Sequence, residues 1–232
     1  MTRTIVAICT PAFFGKVNAS FACSLAETVK LLDRKGINTE LYIPQSGSLL
    51  CQERNRLIKA FLKSPCTHIL CIDSDIAWMP EIVIQMLQAD KDFLAACYSA
   101  RSENVFLFKP LYNEDKSLKT NGKFIEMRNI PSGFMLIKRH VIEKIIEDTP
   151  EDKIIPSDKT LEPFHCIFET KKIDNEFWGE DFIFCDKVRA SGFDILVDPT
   201  IVLDHDGRRA ALIQTLTDDK EKSAHHQEPA KV

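Results

Sequence analysis

Along the first hundred residues, short apolar runs alternate with longer segments of helical periodicity. Thr4 to Thr10 is a β-branched apolar run stopped by Pro11, which predicts a buried strand. Ser20 to Lys35 places Leu25, Val29 and Leu32 one helical turn apart and stops at Gly36, the pattern of a helix with a C-terminal glycine. Asn38 to Ile43 alternates apolar and polar residues before Pro44 and reads as a second strand. Leu49 to Leu62 is helical again and carries Arg54, Asn55 and Arg56 between its apolar positions. Thr67 to Ile72 is a third strand running into Asp73-Ser74-Asp75. Pro80 opens a helix reaching about Ala89, and Phe93 to Tyr98 is a fourth strand. Strands separated by helix-length segments predict an α/β fold with a mainly parallel sheet covered on both faces.

Beyond Ser99 the pattern loosens. Residues 101–130 mix short apolar stretches with NED, KSLK and TNGK and read as loops and a hairpin. Pro131-Ser132-Gly133 leads into the strand FMLIK, followed by a helix from about Arg139 to Glu147. Residues 148–172 read as a long polar connection, and connections of that length inside a compact domain tend to be functional or mobile. Glu180 to Ala190 is a helix and Phe193 to Val202 a strand; Asp204-His205-Asp206-Gly207 closes the ordered part. From about Thr215 onward the periodicity is gone. The expected organisation is one domain over residues 1–214 and a disordered tail at 215–232.

Composition narrows the partners. The 232 residues hold 34 acidic against 30 basic side chains, a formal charge of −4, which argues against a nucleic-acid duplex as partner. The eight cysteines are scattered, with no C-x-x-C pair. They read as small buried hydrophobes of a cytoplasmic protein rather than a zinc cluster or redox pair. No apolar stretch approaches the roughly 20 residues that span a bilayer.

Three constellations carry chemistry. In HILCIDSDIAW a buried strand runs into two carboxylates at its carboxyl end, the edge where open α/β sheets bind ligands. In extended geometry Asp73 and Asp75 would point the same way, and two like charges side by side call for a cation such as Mg²⁺ or Mn²⁺. The bland alternative is a solvated turn. In Phe177-Trp178-Gly179-Glu180-Asp181, acids at a helix start also favour the helix dipole. Trp178 beside them makes a sugar platform with a general base nearby. His205 follows an apolar strand and is flanked by carboxylates, a setting for a metal ligand.

Taken in order with Thr10-Pro11, Glu53-Arg54-Asn55 and Pro131-Ser132-Gly133-Phe134, these motifs resemble glycosyltransferases of the GT-A fold, in particular compact enzymes of bacteriophages and large viruses. The resemblance covers residues 3 to 210. It implies a Rossmann-like three-layer sandwich, with a nucleotide-binding half at about 1–100 and an acceptor-side half at about 101–214. It implies that Thr10 and Pro11 cradle the nucleotide base and that Arg54 contacts base or diphosphate; an ordinary exposed helix residue is the alternative for Arg54. It places Asp73 and Ser74 at the donor, with Asp73 at ribose or metal, and Asp75 and His205 on Mn²⁺ or Mg²⁺. Ser132 and Gly133 would line the donor-sugar pocket, and Trp178 the acceptor site. The implied reaction moves a sugar from a nucleoside diphosphate sugar, a UDP-sugar first, to a carbohydrate acceptor. Inversion with Asp181 as base and Glu180 in reserve is the expected course, and a retaining course stays open. A sugar nucleotidyltransferase would show a glycine-rich loop after the first strand, where CTPAFFGK has one glycine. A metal-dependent phosphoesterase would need more His and Asp ligands. A catalytically inactive nucleotide-sugar-binding module would share the same motifs.

Overall fold

The computed structural model describes residues 3–46, 49–99, 108–160 and 162–211. The opening apolar run forms the strand Ile5–Cys9, which pairs in parallel with Asn38–Tyr42 and with His68–Ile72. The central sheet continues through Phe134–Lys138, Phe93–Ala95, Ile195–Val197, Phe124–Asn129 and Lys109–Pro110. Most of these strands run in one direction, as the alternating pattern predicts. Phe134–Lys138 is inserted antiparallel between His68–Ile72 and Phe93–Ala95.

Side chains of successive strand residues point to opposite faces, and both faces are buried. Val6, Ile8, Leu70, Ile72, Phe134 and Leu136 join one core; Ala7, Cys9, Ile69, Cys71, Met135 and Ile137 join the other. The first core is closed by helices α1 (Ala19–Arg34) and α3 (Glu81–Gln88), through Phe21, Leu32, Val83 and Met86. The second is closed by α2 (Leu50–Lys63), α4 (Arg139–Asp148) and α5 (Glu180–Ala190), through Phe61, Ile142 and Phe184. The result is the expected three-layer sandwich. Five of the eight cysteines are buried and all eight are free thiols. Among the described residues no helix is long and apolar enough to cross a membrane.

Four expectations need correcting. The hairpin expected within residues 101–130 forms between Thr120–Asn121 and Phe124–Asn129, but Phe124–Asn129 also runs on as a strand of the main sheet, antiparallel to Ile195–Val197. Its buried Glu126, ion-paired to Lys119 at 2.7 Å, hides the strand's apolar character in sequence. The run Phe193 to Val202 is two strands, not one. Ile195–Val197 ends at Asp198, whose carboxylate accepts the Thr200 N–H (3.1 Å) and hydroxyl (2.6 Å), forming a turn around Pro199. The chain then starts a second small sheet, Val202–His205 between Arg208–Ala211 and Ile76–Ala77.

The connection at 148–172 is likewise anchored to the core. Ile167 and Phe168 are fully buried, and Phe168 stacks on Phe184 at 4.3 Å between ring centroids. Asn55 on α2 donates to the Phe168 carbonyl (2.8 Å) and accepts its N–H (3.0 Å), replacing both backbone partners of that residue. The strand expected over Phe93 to Tyr98 ends at Ala95. The expected tail lies outside the described residues.

Candidate active site

Strands Ile5–Cys9, His68–Ile72 and Phe93–Ala95 deliver Thr10, Asp73 and Tyr98 beyond their carboxyl ends. Because Phe134–Lys138 runs the other way, Ser132 and Gly133 enter at the same edge. The Asp73 N–H donates to the Gly133 carbonyl at 3.0 Å. Extended geometry at Asp73-Ser74-Asp75 is not what forms: the Ile76 N–H donates to the Asp73 carbonyl at 3.1 Å, closing a turn. The two carboxylates therefore meet different partners.

Asp73 faces Arg54. The Arg54 Nη2 donates to Asp73 Oδ1 at 2.8 Å, its Nη1 donates to the Ser132 carbonyl at 3.4 Å, and its Nε lies 3.5 Å from Glu180 Oε1. Arg54 is not an exposed helix residue, since only 5% of its surface reaches solvent. Burial works against its charge, but Asp73 and then Glu180 outweigh it and hold its pKa above the usual guanidinium value. The other Asp73 oxygen, Oδ2, accepts from the Tyr98 hydroxyl at 3.4 Å. Both oxygens of this carboxylate are thus engaged within the protein.

Asp75 faces His205. The register that pairs His205 with Ile76 brings His205 Nε2 to 3.5 Å from Asp75 Oδ2. His205 Nδ1 lies 2.7 Å from the Ser99 carbonyl, and because a carbonyl only accepts, Nδ1 carries a proton and donates. In the neutral ring Nε2 then presents a lone pair to a carboxylate, an arrangement that calls for a proton or a cation between them. Among the described residues no group of three or more His, Cys, Asp or Glu is gathered for a metal ion. One imidazole and one carboxylate still fit Mg²⁺ or Mn²⁺, which typically retain waters and bind substrate phosphates alongside few protein ligands.

Tyr98 links the two halves. Its ring meets the His205 ring edge-on at 4.9 Å, and burial followed by Asp73 pushes its hydroxyl pKa well up. Sequence reading passed over Tyr98 because a tyrosine at a strand end is ordinary; only its neighbours distinguish it. Gly133 fits against it without a side chain. A Cβ there would stand 2.6 Å from Tyr98 Cζ and 2.7 Å from Asp73 Oδ2. Gly133→Ala is expected to displace both groups with the fold intact, so that the Tyr98 and Asp73 side chains shift while the far-ultraviolet circular dichroism of the purified variant matches wild type.

Glu180 and Asp181 begin α5. Burial, then the Glu180 charge, pushes the Asp181 carboxyl up to about 6, against the stabilising Phe182 N–H donated at 2.8 Å. Gly179 leaves space for it, because a Cβ there would lie 2.9 Å from Asp181 Oδ1. Trp178 meets Phe182 edge-on at 6.1 Å beside these acids. On the loop side, the Ser74 carbonyl accepts the Asn18 N–H at 2.9 Å, which ties the segment after Pro11 to the turn at Asp73. The hydroxyls of Thr10, Ser99 and Ser132 are buried at this edge without a hydrogen-bond partner among the described residues, as expected of groups awaiting a polar ligand.

No protein-family model matches the chain, and no curated protein matches it in sequence. Solved structures do match in fold. One is GalNAc-T7 with UDP, GalNAc and Mn²⁺, at 11% identity and TM-score 0.50 over 87% of this chain and 43% of that one. Another is TarS 1-349 of S. aureus, at 14% identity and TM-score 0.45 over 84% and 57%. A third is the inositol-1-phosphate CTP transferase of T. maritima, at 10% identity and TM-score 0.41 over 84% and 85%. This chain spans less than half of the first structure and under three fifths of the second. With its mostly parallel sheet between two helical layers, the chain has the GT-A type of α/β fold.

Proposed function

We propose that this chain is a glycosyltransferase that moves a sugar from a nucleoside diphosphate sugar, a UDP-sugar first, to a hydroxyl of a carbohydrate acceptor. The observation that carries the reading is the Arg54 cluster. One buried guanidinium joins Asp73, on the strand edge, to Glu180, next to Asp181 on another element. The two acidic positions that this reading assigns to donor and acceptor sides are thereby joined through one residue, across 19 and 126 positions of sequence.

In this reading Thr10, Pro11 and Ser74 border the nucleoside, and Ser132 and Gly133 border the donor sugar. Arg54 and Tyr98 orient Asp73 toward the donor. Asp75 and His205 would hold Mn²⁺ or Mg²⁺, whose Lewis acidity would stabilise charge on the departing diphosphate. The acceptor, resting against Trp178, loses its hydroxyl proton to Asp181 as its oxygen bonds to the anomeric carbon and the diphosphate leaves. Such a single displacement inverts the anomeric centre. A carboxyl pushed up to about 6 suits the task, being ionised at neutral pH yet more basic than an ordinary aspartate. Glu180 is committed to Arg54 and stands in reserve as a base.

A melting panel with UDP, GDP, dTDP and their sugar conjugates, with and without Mn²⁺, tests the donor site. One nucleotide at a hundred times its Kd is expected to raise the midpoint by about 5–10 °C in a metal-dependent way, an effect lost in Asp75→Ala. Silence across the panel would remove the nucleotide site. Pyrophosphate formation in place of sugar transfer would make the protein a nucleotidyltransferase instead.

A further inference from the structure

Beside Asp181 lies an open cleft of about 270 Å³ whose lining gathers two acids, three aromatic rings and one lysine. One wall is the hairpin Lys171–Ile173/Glu176–Trp178, turned by Asp174 and Asn175, both left-handed at φ 51° and 67°. The hairpin leaves Phe177 79% exposed. Across from it Lys109 holds its ammonium 4.6 Å from the Trp178 ring centroid and 5.3 Å from that of Phe182. Glu176 and Asp181 line the same cleft, yet neither forms an ion pair with Lys109 among the described residues.

We infer that the acceptor is an anionic carbohydrate bearing a carboxylate or a phosphate, and that Lys109 selects it. The inference rests on the transferase reading above. Ring faces hold an ammonium in place without neutralising it, so its N–H donors remain available to a ligand. A neutral acceptor would need no such cation. An anionic one, entering a cleft that already holds two carboxylates, needs its charge met by a cation, and Lys109 supplies it.

The test compares methyl glucuronide and glucose 6-phosphate with methyl glucoside as acceptors, using whichever nucleoside diphosphate sugar raises the melting point and reading release of its nucleoside diphosphate. For wild type, kcat/KM is expected to favour at least one anionic acceptor by about tenfold. The preference should fall to near unity in Lys109→Met and return in Lys109→Arg. The carboxylate and phosphate arms show which anion is used. A donor-binding protein that uses the three equally, prefers the neutral sugar, uses none of them, or keeps its preference in Lys109→Met would overturn the inference. A protein that binds no nucleoside diphosphate sugar would instead sink the transferase reading.

Discussion

Asp181→Asn is expected to lose sugar transfer by a factor of about 10²–10⁴ while melting at a higher temperature than wild type at pH 7–8. The loss follows from removing the proposed base. The gain follows from the same burial that makes Asp181 basic. Its carboxyl sits at about 6 in the folded chain, against roughly 3.9 for an unperturbed aspartate. Between those values the folded protein holds more protons than the unfolded one, so the ionising carboxylate costs stability as pH rises. Above about pH 6 the cost is complete, at most about 3 kcal/mol. Asparagine does not ionise, and its carbonyl oxygen can still accept the Phe182 N–H. The variant should therefore gain up to about 5–10 °C at pH 8, and nothing below about pH 4. Wild-type kcat should rise with pH through about 6 and then level. Full transfer by the variant, or a melting difference that does not change with pH, would remove Asp181 from the role of base.

Arg54→Met is expected to be the most damaging single substitution in the site. It strands Asp73 and Glu180 near each other without the cation that both contact. Breaking a buried ion pair from one side costs about 3–5 kcal/mol, and the lower end applies because a quarter of the Asp73 side chain still reaches solvent (26%). The midpoint should fall by roughly 6–12 °C, and the shift induced by nucleotide should vanish. Arg54→Lys should recover little, because an ammonium cannot serve Asp73, Glu180 and the Ser132 carbonyl with one planar fork. Adding Asp73→Asn and Glu180→Gln to Arg54→Met should restore much of the stability and none of the activity. A triple variant as unstable as Arg54→Met would mean that the loss comes from packing against Phe168, whose ring centroid is 5.8 Å from the guanidinium, rather than from unpaired charge.

Most elements were legible because each is written locally. The runs at Ile5–Cys9, His68–Ile72 and Phe134–Lys138 are apolar on both faces, and α1, α2 and α5 keep helical spacing between clear stops. Phe124–Asn129 is legible as half of a hairpin but not as a strand of the main sheet, because its buried Glu126 and exposed Arg128 break the pattern, and the charge is satisfied by Lys119. The anchoring of Ile167 and Phe168 escaped notice because two apolar residues in a polar stretch form no period. Their latch, Asn55, lies 113 positions from Phe168.

The residue types of the candidate site were likewise readable from sequence: acids after a strand, acids at a helix start, a histidine at a strand end. Who meets whom was not. Extended-chain reasoning sent Asp73 and Asp75 to one site, but the turn at Ile76 sends the first to Arg54 and Tyr98 and the second to His205. His205 arrives there only because Asp198 and Pro199 break a strand and its second half pairs with Ile76–Ala77. A chain's own periodicity records which residues are buried and in what kind of element, because those preferences act over a few neighbouring residues. Ion pairs across 19 and 126 positions, Arg54 with Asp73 and with Glu180, depend on strand order and on the reversed direction of Phe134–Lys138. Only packing the whole sheet determines those.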